Sequence, residues 1–175
     1  MKRMTSIAFV TAGFFCGHGH CASDGFSAVK CGADVPGSLI GKAMPNERVA
    51  VLESRHKDLQ LHDLGGTDIS DDLFLASWNI CGEEFELLEK QETVRDVLKA
   101  PAHSKDSPLF IGTCQHAGAP VAGTIVAVLD NKPGAATLAA DKAWKIDAKD
   151  LKFVALNTAG LACPRDGIVT SDGGP

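Results

Sequence analysis

The sequence predicts a mostly-β protein, a small antiparallel sandwich or barrel with one or two short helices and two disulfides. Three observations carry that expectation. Leu73–Ile80 alternates in period two, with Phe74, Ala76, Trp78 and Ile80 on one face and Leu75, Ser77 and Asn79 on the other. Short apolar runs rich in β-branched residues recur between Gly, Pro, Asn and Asp clusters. Four cysteines remain once a predicted leader is removed, an even number in a chain bound for an oxidising compartment. The alternative is α+β, with helices over 93–99 and 137–143 packed on a sheet.

The leader is predicted over 1–23. Met1-Lys2-Arg3 is basic, Met4–Phe15 is uncharged and mostly apolar, and small residues follow at Ala22 and Ser23, where cleavage fits. Neither Cys16 nor Cys21 is preceded by the small and Leu-like residues that lipid attachment needs. Cys16-Gly17-His18-Gly19-His20-Cys21 offers soft metal ligands, but so compact a run places them poorly around one tetrahedral ion, and it falls where the leader ends. A single globular domain is expected over 24–163, followed by a flexible, polar, Gly-rich tail over 164–175.

The elements follow in order. Asp24–Asn46 reads as an irregular segment anchored at Cys31. Arg48–Glu53 is the first predicted strand and Leu59–His62 a second, with the rest of Arg55–Asp72 a turn-rich loop around Gly65-Gly66. Leu73–Ile80 and the stretch around Phe85 and Leu87 form a hairpin with one wet and one buried face. Thr93–Lys99 is expected to be a short helix, with Val94, Val97 and Leu98 on one side and Pro101 stopping it. Ala102–Pro108 is a polar loop. Leu109–Thr113 and Thr124–Leu129 are strands flanking a turn, and Asp130–Gly134 is a strong turn signal. Ala143–Asp147 and Lys152–Leu156 make a last hairpin. Trp78 and Trp144 are expected to anchor the core rather than stack on a ligand.

Disulfides are expected among Cys31, Cys81, Cys114 and Cys163. Cys81–Cys114 and Cys31–Cys163 are the favoured pairs, the first because each cysteine ends a strand-like run, the second because it would tie the ends of the domain together.

Several functions are disfavoured. The chain has 175 residues and a net charge of −5, and loss of Lys2 and Arg3 with the leader takes it to −7. That balance opposes nucleic-acid binding through phosphates. No apolar run is long enough to span a bilayer. There is no G-x-S-x-G elbow, S-x-x-K set, phosphate loop or CxxC pair, and no cofactor is implied. The acidic residues concentrate between Asp58 and Glu92. In and just before that stretch, His56, Asp58, His62, Asp63, Asp68, Asp71 and Asp72 are the candidate binding residues. His56 and His62 would share a face if both stood on one strand.

The reading that follows is a small periplasmic or secreted, disulfide-stabilised binding protein that inhibits or neutralises a basic partner protein. One alternative is a metal-dependent hydrolase using the His56, His62 and aspartate segment. The other is a structural envelope protein with no catalytic role.

Overall fold

A computed structural model describes residues 24–44 and 46–168. The predicted leader, its Cys16–Cys21 cluster and residues 169–175 lie outside the described residues. The fold is mostly β, built from two antiparallel sheets, the second curled into a half-barrel, with two short α-helices among the described residues.

The first described residues form helical pieces held by side-chain caps. Asp24 accepts from the Ser27 amide at 3.1 Å and starts a 3₁₀ turn over Gly25–Ala28. Asp34 accepts from the Gly37 amide at 3.1 Å and caps α1 (Val35–Leu39), with Pro36 in its first turn. Next come α2 (Val49–Arg55) and a 3₁₀ turn over Lys57–Leu59. The expected strand over Arg48–Glu53 is thus a helix. Leu52, His56 and Leu59 are the buried residues here, four and then three apart, while Val49 and Val51 stay exposed. Burying that helical stripe overrides the β-branched alternation.

The first sheet has the order β1 (His62–Ser70), β2 (Leu73–Ile80), β3 (Glu83–Lys90), β4 (Thr93–Lys99). The hairpin of β2 and β3 is the one the alternation predicts, in unbroken register from Leu73↔Lys90 to Ile80↔Glu83. It is covered on both faces, not one. Ala76, Trp78, Ile80, Phe85 and Leu87 pack under the N-terminal segment with Phe26, Leu39, Leu52 and Leu59. On the other face Leu73, Leu75 and Leu88 meet the second sheet.

β1 replaces the expected loop. It is an edge strand with register shifts between Asp63 and Gly65 and between Asp68 and Ser70, and Gly65 sits at φ +103. Bulges of this kind erase the alternation that marks a strand. The short strand expected at Leu59–His62 gives way to the 3₁₀ turn and the start of β1.

β4 replaces the expected helix, and the reason is again a bulge. Leu88 pairs with Asp96 and Glu89 with Val94, which leaves Arg95 as an extra residue. The bulge turns Val94 and Val97, three apart, toward the same cluster. That spacing imitates a helix. The second sheet repeats the device. It runs β5 (Leu109–Gly112), β8 (Ile125–Leu129), β9 (Thr137–Asp147), β11 (Leu161–Pro164), β6 (Gln115–His116), β7 (Ala119–Pro120), with β10 (Lys152–Ala155) on β9. Val128 pairs with Lys142 and Leu129 with Ala140, leaving Asp141 extra. Ala140 and Ala143 then share one core, so the 137–143 helix of the α+β alternative is strand.

β8 is buried along its whole length. Ile125, Ala127 and Leu129 face the half-barrel interior, and Val126 and Val128 face the first sheet. The expected last hairpin is present as β9 and β10, with Lys152 opposite Asp147. Trp78 lies in the core, while Trp144 is only half-buried.

Four cysteines form two disulfides, but the pairs are Cys31–Cys81 and Cys114–Cys163. The expected pairs are corrected by topology. The N-terminal segment packs on the first sheet and brings Cys31 to the β2–β3 turn. β6 pairs with β11 through Leu161↔His116 and Ala162↔Gln115, which sets Cys114 beside Cys163. The expected loose tail is docked as far as Ile168, which bridges to Phe110. Arg165 donates to the Ala135 carbonyl at 3.0 Å and to the Asn131 side chain at 2.6 Å. No helix among the described residues is long and apolar enough to cross a membrane.

Candidate binding groove

The face of the first sheet under the N-terminal segment is not completely covered. Leu52 and Met44 close it over Ala76 and Trp78, but toward the β1–β2 turn the cover ends and a groove of about 330 Å³ opens. Register explains its contents. Asp68 on β1 pairs with Phe74 on β2, and Phe74 pairs with Glu89 on β3. Directly paired residues share a face, so one row holds carboxylate, phenyl, carboxylate. Phe74 is 37% exposed although it follows the parity of the buried residues Ala76, Trp78 and Ile80.

Gly66 allows this arrangement. A Cβ there would collide with the Phe74 ring and would sit 2.6 Å from the Leu75 carbonyl. Trp78 forms the deeper floor, edge-on to Phe26 with ring centroids 5.0 Å apart. Glu47, Asp63, Glu89 and Glu92 line the groove. A wider cleft of about 770 Å³ continues from it, sharing Asn46, Phe74, Glu89 and Glu92 and adding Asp68, Asp71 and Asp72. Among the described residues no lysine or arginine lines either space.

Some of these carboxylates already have partners. Glu47 accepts from Arg55 Nη2 at 2.7 Å, and Asp72 pairs with Lys90 at 2.9 Å. Asp63 accepts from the Gly65 amide at 3.0 Å. Among the described residues Asp68, Asp71, Glu89 and Glu92 have no cationic partner. Burial pushes the Glu89 carboxyl up to about 7, and repulsion from Glu92 adds to the effect. Glu92 and Gln91 form the two-residue β3–β4 turn at φ 57 and φ 50, a conformation that costs ordinary residues on the order of 1 kcal/mol each. The turn holds Glu92 at the mouth of both spaces.

The sequence-predicted residues divide. Asp63, Asp68, Asp71 and Asp72 lie along the groove and its cleft. Asp58 stands apart, exposed in the 3₁₀ turn. His56 ends α2 and is buried, 2.9 Å from Asp24. Burial raises the Asp24 carboxyl, but hydrogen bonds from His56 and Arg55 outweigh it and hold it below its ordinary value. That network pins the end of α2 to Asp24, at the head of the first 3₁₀ turn. His62 begins β1, largely exposed, 3.0 Å from Glu53. The two histidines therefore share no strand and no face. Among the described residues no three of His, Cys, Asp and Glu are grouped to hold a metal ion.

Sequence reasoning missed Glu47, Phe74, Glu89 and Glu92. One signal was available: Glu89 continues the Phe85, Leu87 parity, so it is an acid on the covered face of its strand. Sequence reasoning also missed Glu86, which lies on the opposite face at 1% exposure and accepts from Ser77 Oγ at 2.6 Å. Burial pushes Glu86 up to about 7, against the opposing pull of the Ser77 hydrogen bond. It sits at the seam between the sheets, beside a cavity of about 370 Å³ lined by Leu75, Ser77 and Ile111. Compared with family models, curated proteins and solved structures, the chain matches none.

Proposed function

We propose that this is an exported, disulfide-stabilised binding protein that inhibits or neutralises a basic partner protein, and that the groove is where the partner docks. The single observation that carries this reading is the row Asp68, Phe74, Glu89: an exposed aromatic ring between carboxylates in a groove whose described walls hold no lysine or arginine. An apolar floor supplies affinity, and the surrounding negative potential steers a cationic target and selects against anionic ones. Two disulfides are compatible with an extracellular or periplasmic protein.

The test is a titration of the full chain against basic cell-wall hydrolases at increasing salt. Binding that weakens steeply with salt, and weakens at least tenfold in an Asp68→Asn, Glu89→Gln double variant, supports the reading. Binding indifferent to both, or no binding to any basic protein, overturns it.

A further inference from the structure

We infer that the groove accepts one lysine side chain of the partner, its methylene stem lying on Phe74 and its ammonium held among Asp68, Glu89 and Glu92. This rests on the proposed binding of a basic protein and names the group that is recognised.

Geometry favours a lysine for two reasons. The exposed Phe74 ring, with Ala76 and Trp78 beyond it, is an apolar surface of the kind a long alkyl stem covers while its charged end stays at the rim. The carboxylates come from different places around that ring: Asp68 from β1, Glu89 from β3 and Glu92 from the β3–β4 turn. A planar guanidinium is matched to one carboxylate in its own plane. A compact ammonium with three rotatable donors suits acceptors spread around it. A cation near the phenyl face gains a further attraction.

Proton release follows from the same geometry. Charged groups line the same spaces as Glu89 from several elements: Glu92 from the β3–β4 turn, Asp63 and Asp68 from β1, Asp71 and Asp72 from the β1–β2 turn, with Asp72 already engaged by Lys90, and Glu47, already engaged by Arg55, from the segment before α2. None of them supplies a free positive charge. Burial pushes the Glu89 carboxyl up to about 7, so near neutral pH a fraction of the empty grooves hold it protonated. An arriving ammonium favours the carboxylate and expels that proton, so affinity rises as pH climbs from 5 to 8.

The probes are acetyl-Leu-Lys-Leu-amide, its norleucine and arginine counterparts, and free pentylamine, each titrated calorimetrically into the full chain in phosphate and in Tris at pH 7. The lysine peptide is expected to bind at least tenfold more tightly than the norleucine peptide and more tightly than the arginine peptide. It is also expected to release a fraction of a proton, read as a buffer-dependent heat. Glu89→Gln, an isosteric change whose fold is checked by circular dichroism, should remove both the lysine preference and the buffer dependence. Equal binding of the lysine and norleucine peptides, an arginine peptide that binds as tightly, or a preference that survives in Glu89→Gln would each overturn the inference. Pentylamine binding as tightly as the peptide would overturn the assignment to a partner side chain. Were a basic protein to bind while the lysine peptide did not, this inference would fail and the broader reading would stand. If neither bound, both would fail.

Discussion

The two sheets are built alike and end up with different surfaces. Each is antiparallel, each has a strand whose bulge leaves one extra residue, Arg95 in the first and Asp141 in the second, and each belongs to a half closed by its own disulfide, across 50 residues in the first and 49 in the second. Neither disulfide crosses between the sheets. The halves are joined by the apolar seam of Leu73, Leu75 and Leu88 against Leu109, Val126, Val128 and Ile146, and by Asp96 accepting from the Phe153 amide at 2.8 Å. The second half turns inward around the small residues Ala127, Ala140 and Ala143. The first half leaves its covering segment incomplete and puts unpaired carboxylates and a phenyl ring at the gap. Stability is distributed over both halves, whereas the proposed binding chemistry is concentrated in one.

Disulfide removal should separate those two roles most clearly. Closing loops of this length stabilises by about 4 kcal/mol each. Replacing Cys31 and Cys81 by serine should cost that much and also weaken ligand binding, because the segment that walls the groove is freed. Replacing Cys114 and Cys163 should cost a similar amount in chemical denaturation while leaving binding intact.

The seam comes next. Leu88→Ala removes a fully buried side chain between the sheets and should cost about 3 kcal/mol in denaturant unfolding.

Glu86 gives the seam a pH dependence. Its folded value of about 7 lies above the ordinary 4.5, so the folded chain keeps a proton that the unfolded chain loses. Its contribution is fully present below about pH 4.5 and is lost as pH rises through about 7, on the order of 2–3 kcal/mol across that window. Thermal unfolding followed between pH 4 and 8 should show the decline, and Glu86→Gln should remove part of it, leaving the share that Glu89, raised in the same way, contributes.

The smallest effect sharpens the contrast at the groove. Glu92→Gly relieves a left-handed residue in the β3–β4 turn and should stabilise by about 1 kcal/mol while weakening binding of cationic ligands. A gain in stability with unchanged binding would remove Glu92 from the site.

Legibility in the sequence followed local regularity. The β2–β3 hairpin could be read because its eight paired rows run without interruption and Cys81-Gly82 turns tightly between them. β4 and β9 could not, because the extra residues Arg95 and Asp141 convert a two-residue period into helix-like spacings of three. β1 was hidden by its own bulges. Cysteine pairing depended on which segment packs on which sheet, and periodicity carries no information about that. Of the groove, the aspartates were found through their density along the chain. Phe74 and Glu89 were missed because each breaks the rule of its face: an apolar residue at the open end and an acid among buried neighbours. Both exceptions become visible only when the register sets them side by side.

Amide and side-chain NMR shifts recorded while basic cell-wall hydrolases are added in turn are the most direct test of the proposed groove. Perturbations are expected at Phe74, Glu89, Glu92 and Asp68, fading at high salt, with β5, β8 and β11 unaffected. Perturbations confined to the second sheet, or none in the first, would contradict it.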